Sequence, residues 1–365
     1  MGQVRDAMIV AGGKGTRLRP LTLTTPKPLL PLCGLPFLSG VIRNLAAVGI
    51  DRVLLVVGAD TTPFDVLQRD AESVGVTVEA VPEPTPLDTA GGVRAALDRV
   101  RGTFLVLNGD ILTGLDLARL IDEHQSSGAA ATLALTRVED TSAFGVCVLV
   151  GQRIVDFVEK PAPGTLPGQD AVNGGTYVVE PAAMARFPNG PLSFERQVFP
   201  ELVAAGEIVH GVVSDAVWAD LGTPERFLHG HRLVLDGEVA WPEADGLLVD
   251  AAGARSHPDI EVDASAEIRG PVRMLPGVSI GARAQIGPYV VLGAATRVGA
   301  ESQIRDSVVF DDSHIGAGVK IAGSLLGYGV VVGDRVEVPD GSVIGDGEQI
   351  ADGRMLGRGS RIPSG

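Results

Sequence analysis

The stretch Val278-Ser279-Ile280-Gly281-Ala282-Arg283-Ala284-Gln285-Ile286-Gly287-Pro288-Tyr289-Val290-Val291-Leu292-Gly293-Ala294-Ala295-Thr296-Arg297-Val298-Gly299 keeps one beat, an aliphatic residue at every sixth position with glycine directly after it. Six is neither the 3.6-residue period of a helix nor the two-residue alternation of an ordinary strand. The beat extends in both directions. It starts at Val262, Ile268 and Met274, and continues through Ile304 and Phe310. The count slips to five at Ile315, resumes at Ile321, slips again at Leu326, and runs on through Val332, Val338, Ile344, Ile350 and Leu356. A six-residue apolar period with glycine turns is the signature of a left-handed parallel β-helix built from hexapeptide repeats. Each coil supplies three short strands, and one apolar residue per face points inward onto its equivalents in neighbouring coils. The two five-residue steps are expected at corners.

Upstream, residues 236–258 carry Asp, Gly, Pro and Ala with no sustained period, which reads as a linker. Before it the pattern changes kind. Apolar runs at 7–11, 53–57, 76–81, 104–107, 131–135 and 177–179 alternate with helix candidates at 38–48, 64–73, 90–100 and 115–126. Such alternation predicts a mostly parallel, Rossmann-like sheet covered on both faces. The expected organisation is therefore an α/β domain over 1–235, a linker over 236–258 and the β-helix over 259–365.

Ligands of open α/β sheets bind at the carboxyl ends of the strands. Three motifs fall there. The first strand opens into Ala11-Gly12-Gly13-Lys14-Gly15-Thr16-Arg17, with Lys27 ten residues past Arg17. Glycines let backbone N–H groups approach an anion, and Arg17 and Lys27 add fixed positive charge. The spacing fits neither a Walker A loop nor a G-x-G-x-x-G fingerprint. Asn108-Gly109-Asp110 ends a second strand and puts a carboxylate where Mg²⁺, which favours one or two carboxylates plus phosphate oxygens, could be held. Asn173-Gly174-Gly175 is the third.

The glycine-rich signature with its Lys27-Pro28-Leu29-Leu30-Pro31 tail resembles the sugar-1-phosphate nucleotidyltransferases, and among them the mannose-1-phosphate guanylyltransferases with a C-terminal β-helix. The segments Trp218-Ala219-Asp220-Leu221-Gly222-Thr223-Pro224 and Glu159-Lys160-Pro161 match motifs of the same family, and Ser193 to Pro200 resembles another. The resemblance implies transfer of a nucleotidyl group from an NTP to a sugar 1-phosphate, with release of pyrophosphate. It assigns Arg17 to the departing pyrophosphate, Lys27 to the phosphates and Lys160 to the attacking group. It assigns Asp110 and Asp220 to Mg²⁺. Ala11, Gly12, Gly13, Gly15, Thr16, Glu83, Asp88, Thr89 and Asn108 would surround the nucleotide, and Gly145, Glu159, Asn173 and Gly174 the sugar. Leu87-Asp88-Thr89-Ala90-Gly91 departs from the family's base-reading loop by Asp88 in place of glycine. An ionised carboxylate only accepts hydrogen bonds, and guanine offers adjacent N1–H and N2–H₂ donors, so Glu83 or Asp88 could accept both. GTP is favoured on that ground. dTTP, UTP or ATP, and glucose, heptose or cyclitol phosphates, remain alternatives.

In-line attack by the sugar phosphate's own oxygen needs no protein nucleophile, only positioning and charge neutralisation. The chain supplies cations, glycines and carboxylates for that. A net charge of −15 repels nucleic acid and anionic membranes, so the phosphates must be held by local cations. Cys33 and Cys147 form no disulfide framework, no apolar run approaches a bilayer's width, and no signal-peptide layout opens the chain, so a cytoplasmic protein is expected. The β-helix offers only His314 as a base, which argues against acyltransfer and for a homo-oligomerisation or regulatory platform. A sugar-nucleotide-sensing, non-catalytic subunit would be expected to have lost Arg17, Lys27 or a metal Asp, and all are present.

Overall fold

The computed structural model describes residues 3–162, 164–166, 168–242, 246–249 and 253–362. The contacts divide the chain into two compact units that do not follow chain order: residues 1–13 with 41–218, and residues 14–40 with 219–365.

The first unit is built on a nine-stranded sheet. Its strands are β1 (Asp6–Val10), β2 (Arg52–Val57), β3 (Thr77–Pro82), β4 (Phe104–Asn108), β5 (Ala131–Arg137), β6 (Gly145–Val150), β7 (Arg153–Glu159), β8 (Ala171–Val179) and β9 (Val209–Ser214). They lie in the order β3-β2-β1-β4-β8-β5-β9-β7-β6. The β3-β2-β1-β4 block is parallel, and α1 (Phe37–Ala47), α2 (Val66–Ser73) and α3 (Asp88–Ala95) lie in its crossover segments. Beyond β4 the pairing turns mixed: β8 is antiparallel to both neighbours, and β6–β7 is a hairpin. The sheet is thus less parallel than the strand–helix alternation predicts, because Gly151-Gln152 closes β6 onto β7 with no helix between them. The expected run at 177–179 is only the end of β8, which starts at Ala171 and carries a register shift between Asn173 and Tyr177. Asp6 fixes the start of β1. It is buried, and burial alone would raise its pKa; hydrogen bonds from Arg52 and Arg101 outweigh that and lower it.

The second unit contains three sheets, of eight, six and five strands, parallel throughout except where Leu248–Val249 pairs antiparallel with Ala254–Ser256. Val262, Ile280, Val298, Ile315, Val332 and Ile350 form one ladder. Ile268, Ile286, Ile304, Ile321 and Val338 form the second. In the third, Leu292 pairs with Val309, and Val309 with Leu326. The first five-residue step therefore falls between Ile304 and Val309, one position before the Phe310 that the sequence count assigns. Phe310 is buried instead against Tyr328, at 5.0 Å between ring centroids. The corners record the same step. Residues with left-handed φ stand at 283, 289, 295, 301, 306, 312 and 318, then at 323 and 329, so both short steps end on a corner, at Asp306 and Gly323. The glycine after each inward residue has a different reason: a Cβ on Gly281 would sit 2.7 Å from the Ala300 nitrogen of the next coil.

Part of the expected linker is ordered. Residues 243–245 and 250–252 lie outside the described residues, but Leu248–Val249 pairs with Ala254–Ser256 to open the eight-stranded sheet. Trp241 stacks on Phe37 at 5.6 Å, and its indole N–H donates to the Leu32 carbonyl at 3.2 Å. Arg273, fully buried, donates from Nη1 to the Cys33 carbonyl at 2.8 Å. Residues 32–37 are thereby part of the β-helix unit. Both cysteines are buried thiols, and burial pushes Cys33 up to about 12.

Candidate active site

In the first unit the chain winds outward from β1 in both directions, so the crevice past β1 and β4 is the topological switch point. Gly12 and Gly13 follow β1. Neither has the positive φ that would require glycine, and a Cβ on either would meet nothing closer than 3.9 Å among the described residues. The fold does not demand glycine there; close approach by a ligand would. Gly109 is different. Its N–H donates to the Val10 carbonyl at 2.8 Å, and a Cβ would lie 2.9 Å from that oxygen. The missing side chain lets the ends of β1 and β4 meet, which sets Asn108 and Asp110 beside Ala11.

Glu83 and Asp88 frame the segment leading into α3. Glu83 accepts the Leu87 N–H through Oε1, closing the loop on itself. Asp88 has φ 65°, accepts the Thr89 N–H at 2.8 Å and is ion-paired with Arg196. Thr89 donates its hydroxyl to Glu195 at 2.7 Å and accepts the Phe194 N–H at 3.0 Å. Sequence reasoning treated 193–200 as a separate resemblance; it is the other half of the 83–89 loop.

Gly145 lies opposite Glu159 in the β6–β7 hairpin, and a Cβ on it would come within 2.9 Å of Glu159 Oε2. That oxygen is buried with no hydrogen-bond partner among the described residues. Lys160, φ 47°, points its ammonium outward, 3.4 Å from Glu159 Oε1, and its N–H donates to the Phe144 carbonyl. Asn173 is spoken for: Oδ1 accepts the Gly175 N–H at 3.0 Å and Nδ2 donates to the Tyr177 hydroxyl at 2.7 Å. Trp218 joins the two segments, donating to the Gly174 carbonyl at 2.9 Å and meeting Phe144 edge-on at 5.5 Å. The sequence marked Trp218 only as a signpost for Asp220.

The second unit holds the remaining cluster. Gly15, φ 58°, caps the short turn Thr16–Leu18, and a Cβ there would lie 2.8 Å from Lys27 Cβ. Thr22 donates to the Gly15 carbonyl at 2.8 Å, so the glycine loop and the Lys27 stem are locked together. Lys27 Nζ stands 3.9 Å from Asp220 Oδ1, and Arg226 Nη1 lies 2.6 Å from Oδ2. Arg226 is set by the start of the helix Pro224–Leu235, where the Thr223 hydroxyl caps its N–H. A Cβ on Gly222 would meet Arg17 Nη2 at 2.5 Å and Asp220 Oδ1 at 2.7 Å. Gly222 is thus the gap in which Arg17 and Asp220 come together, a role the sequence motif alone did not reveal.

The donor set suits a divalent cation at Asp220. Oδ1 is buried with no hydrogen-bond partner among the described residues, and a buried carboxylate oxygen is costly to leave unsatisfied. Asp110 belongs to the other unit. No group of three or more His, Cys, Asp or Glu that could hold a metal ion is found among the described residues.

A family model described as nucleotidyl transferase matches residues 6–237, and one described as the GMPPB C-terminal domain matches residues 268–364. The chain is 41% identical over 298 residues to a mannose-1-phosphate guanylyltransferase of Mycobacterium tuberculosis, covering 77% of this chain and 82% of that protein. It is 34% identical to a protein named probable mannose-1-phosphate guanylyltransferase 2 of Arabidopsis thaliana, over 63% of this chain and 65% of the relative. The crystal structure of HddC from Yersinia pseudotuberculosis complexed with GMP-PN superposes with a TM-score of 0.53 at 26% identity, covering 63% of this chain and all of that one. No helix among the described residues is long and apolar enough to cross a membrane.

Proposed function

This chain belongs to the sugar-1-phosphate nucleotidyltransferase family, and we propose that its reaction is guanylyl transfer from GTP to mannose 1-phosphate, releasing pyrophosphate. The observation that carries the chemistry is the Arg17–Lys27–Asp220 cluster around Gly222, two cations and a carboxylate with one unsatisfied oxygen. Such a set suits a triphosphate that must be held and neutralised while a bond to its α-phosphorus forms.

In this reading an oxygen of the sugar phosphate bonds to the α-phosphorus as the bond to the β-phosphate bridge breaks. Lys27 and the Gly12–Gly15 backbone hold the phosphates, and Arg17 meets the charge growing on the pyrophosphate. Lys160, with its exposed ammonium, orients the incoming sugar phosphate. Glu159 Oε2 accepts from a sugar hydroxyl, which would relieve an otherwise unsatisfied buried acceptor. Mg²⁺, when bound by Asp110 and Asp220, would supply further neutralisation of phosphate oxygens. The names of the relatives favour guanine. In the acidic 83–88 loop Asp88, with Oδ1 accepting the Thr89 N–H and Oδ2 paired with Arg196, would meet the base's paired donors through its remaining lone pairs. The β-helix is proposed to carry self-association, which light scattering on the full chain would test.

Pyrophosphate release measured over a matrix of GTP, ATP, UTP and dTTP against mannose, glucose and heptose 1-phosphates tests the whole reading. GTP with mannose 1-phosphate should give the largest kcat/KM. A tenfold better rate with another pair overturns the substrate assignment.

A further inference from the structure

The outer face of the five-stranded sheet carries a feature that the reaction leaves unused. Within each strand the residue on the inner ladder points to the core, so its neighbours point out. One outward column reads Arg269, Gly287, Arg305, Ala322 and Pro339, and the adjacent one includes Gln303, which pairs with Lys320. Gly287 and Ala322 leave a low floor on either side of Arg305. The result is a depression of about 580 Å³ whose lining includes the cations Arg269, Arg305, Lys320 and Arg358 and the carboxylates Glu337, beside Lys320 in the ladder, and Asp340. Two of these cations are already matched, Arg269 by Glu267 at 2.6 Å and Arg358 by Asp340 at 3.1 Å. Arg305 and Lys320, on neighbouring strands, have no ion pair among the described residues. In a chain of net charge −15, unpaired cations are not the default surface.

A second depression of about 450 Å³ shares Pro288 and Arg305 with the first. Its lining differs: Leu233 and the Tyr289 ring are there, with Arg232 5.9 Å above that ring, and so are the carboxylates of Asp236, Glu238 and Asp306. Arg232 is itself held by Asp306, from Nε at 2.7 Å, and Asp236 meets the Tyr289 hydroxyl. Cations in one compartment, and an aromatic face with hydrogen-bond acceptors in the next, suit a molecule with an anionic end and an uncharged, hydroxyl-bearing body. Guanidinium and ammonium groups together match phosphate, the first by its fork and the second as a point charge. The volume lies within the range of small-molecule sites.

We propose that this groove on the β-helix binds a phosphorylated small molecule, its phosphate between Arg305 and Lys320 and its body toward Tyr289. The site is separate from the residues assigned to nucleotidyl transfer, so the proposal stands whichever substrate pair that reaction uses. Two measurements on the full chain test it. Crystals soaked in tungstate, an electron-dense phosphate mimic, should show anomalous density within about 4 Å of Arg305 and Lys320; density only at the glycine loop overturns the proposal. In solution, ³¹P line broadening of inorganic phosphate should report two classes of site. The double variant Arg305→Ala/Lys320→Ala should lose one class, with binding at least tenfold weaker there, and Lys320→Gln should fall between. Both side chains are exposed, so far-UV circular dichroism and turnover without phosphate should match the parent. An unchanged phosphate isotherm in the double variant overturns the proposal. So does an unchanged isotherm with an altered oligomeric state, which would make the face a contact between copies.

Discussion

Replacing Gly222 by alanine should cripple turnover while leaving the fold intact. The new Cβ would sit 2.5 Å from Arg17 Nη2 and 2.7 Å from Asp220 Oδ1, against ordinary contact beginning at 3.4 Å. Something must give by about 0.9 Å. The backbone at 222 has no positive φ, so alanine brings no local strain, and the tip of a partly solvated arginine is the softest neighbour. Gly222 is itself buried, but the group that yields is the exposed tip of Arg17, so stability should change by no more than about 1 kcal/mol. Catalysis is less forgiving. A displacement near 1 Å of a group that must meet developing charge costs on the order of 10²-fold in rate, or about 2.7 kcal/mol of barrier. Pyrophosphate release at saturating substrates should show that loss in kcat, and thermal melting should not. The cycle with Arg17→Ala is decisive, because it separates displacement of the exposed Arg17 tip, the group expected to yield, from displacement of the Asp220 carboxylate. In the Arg17→Ala background, Gly222→Ala should cost little more. A kcat near the parent's, or a full 10²-fold loss persisting without Arg17, refutes the reasoning.

Asp220→Asn and Asp110→Asn each remove a negative ligand at constant shape. Turnover should fall more than about 100-fold with unchanged melting, and near-normal Mg²⁺-dependent rates in both would remove the metal assignment. Asp88→Gly should relax the preference for GTP over ATP by about tenfold or more, since a hydrogen bond to a charged acceptor is worth roughly 1.5–3 kcal/mol; an unchanged preference would move the role to Glu83. His231 is buried and held neutral, its pKa lowered to about 3, so below about 6.5 the unfolded chain takes up a proton that the folded one refuses. Stability should fall with acidification from about pH 6.5 towards 3 by up to about 1.4 kcal/mol per unit, and His231→Gln should flatten the slope of urea midpoints between pH 7.5 and 4.5. A chain ending at Asp236 loses Trp241 from Phe37 and Arg273 from the Cys33 carbonyl, and its melting temperature should drop by 10 °C or more; an unchanged melt would show that residues 14–40 stand without the β-helix.

The periodic parts of this protein were open to reading because period is a one-dimensional property. The inward ladder from Val262 to Ile350, the β1 loop and the Asn108-Gly109-Asp110 strand end needed only local spacing. What escaped is what depends on partners remote in sequence. Val308, Val309 and Phe310 are all apolar, so counting could not choose which of them fills the slot; only the corner at Asp306 decides it. Arg196 beside Asp88, Trp218 bridging Phe144 and Gly174, and Gly222 beneath Arg17 each join segments 44 or more residues apart or fill a gap that has no signature of its own. Six residues of strand before Tyr177, from Ala171 to Thr176, were hidden for a third reason. Asn173-Gly174-Gly175 reads as lying at a strand's carboxyl end, yet it forms an irregularity inside β8, where the backbone departs from its ladder without leaving the sheet.

The ladder of the β-helix also makes its length a heritable variable independent of its shape. Val298 and Ile315 are partners in neighbouring coils, so excising the 17 residues from Gly299 to Ile315 would splice Val298 to Gly316 with every later side chain still facing its former direction. Excising 16 would turn the whole remaining inner row toward water. Small deletions are therefore punished and whole-coil deletions tolerated. The Ser and Asp side chains that bind one coil to the next, such as Ser302 accepting from Val319 and Asp334 from Ala317, repeat every coil or two and do not refer to the chain's ends. A lineage can shorten or lengthen such an element in quanta of about one coil, as a ruler is cut at its marks.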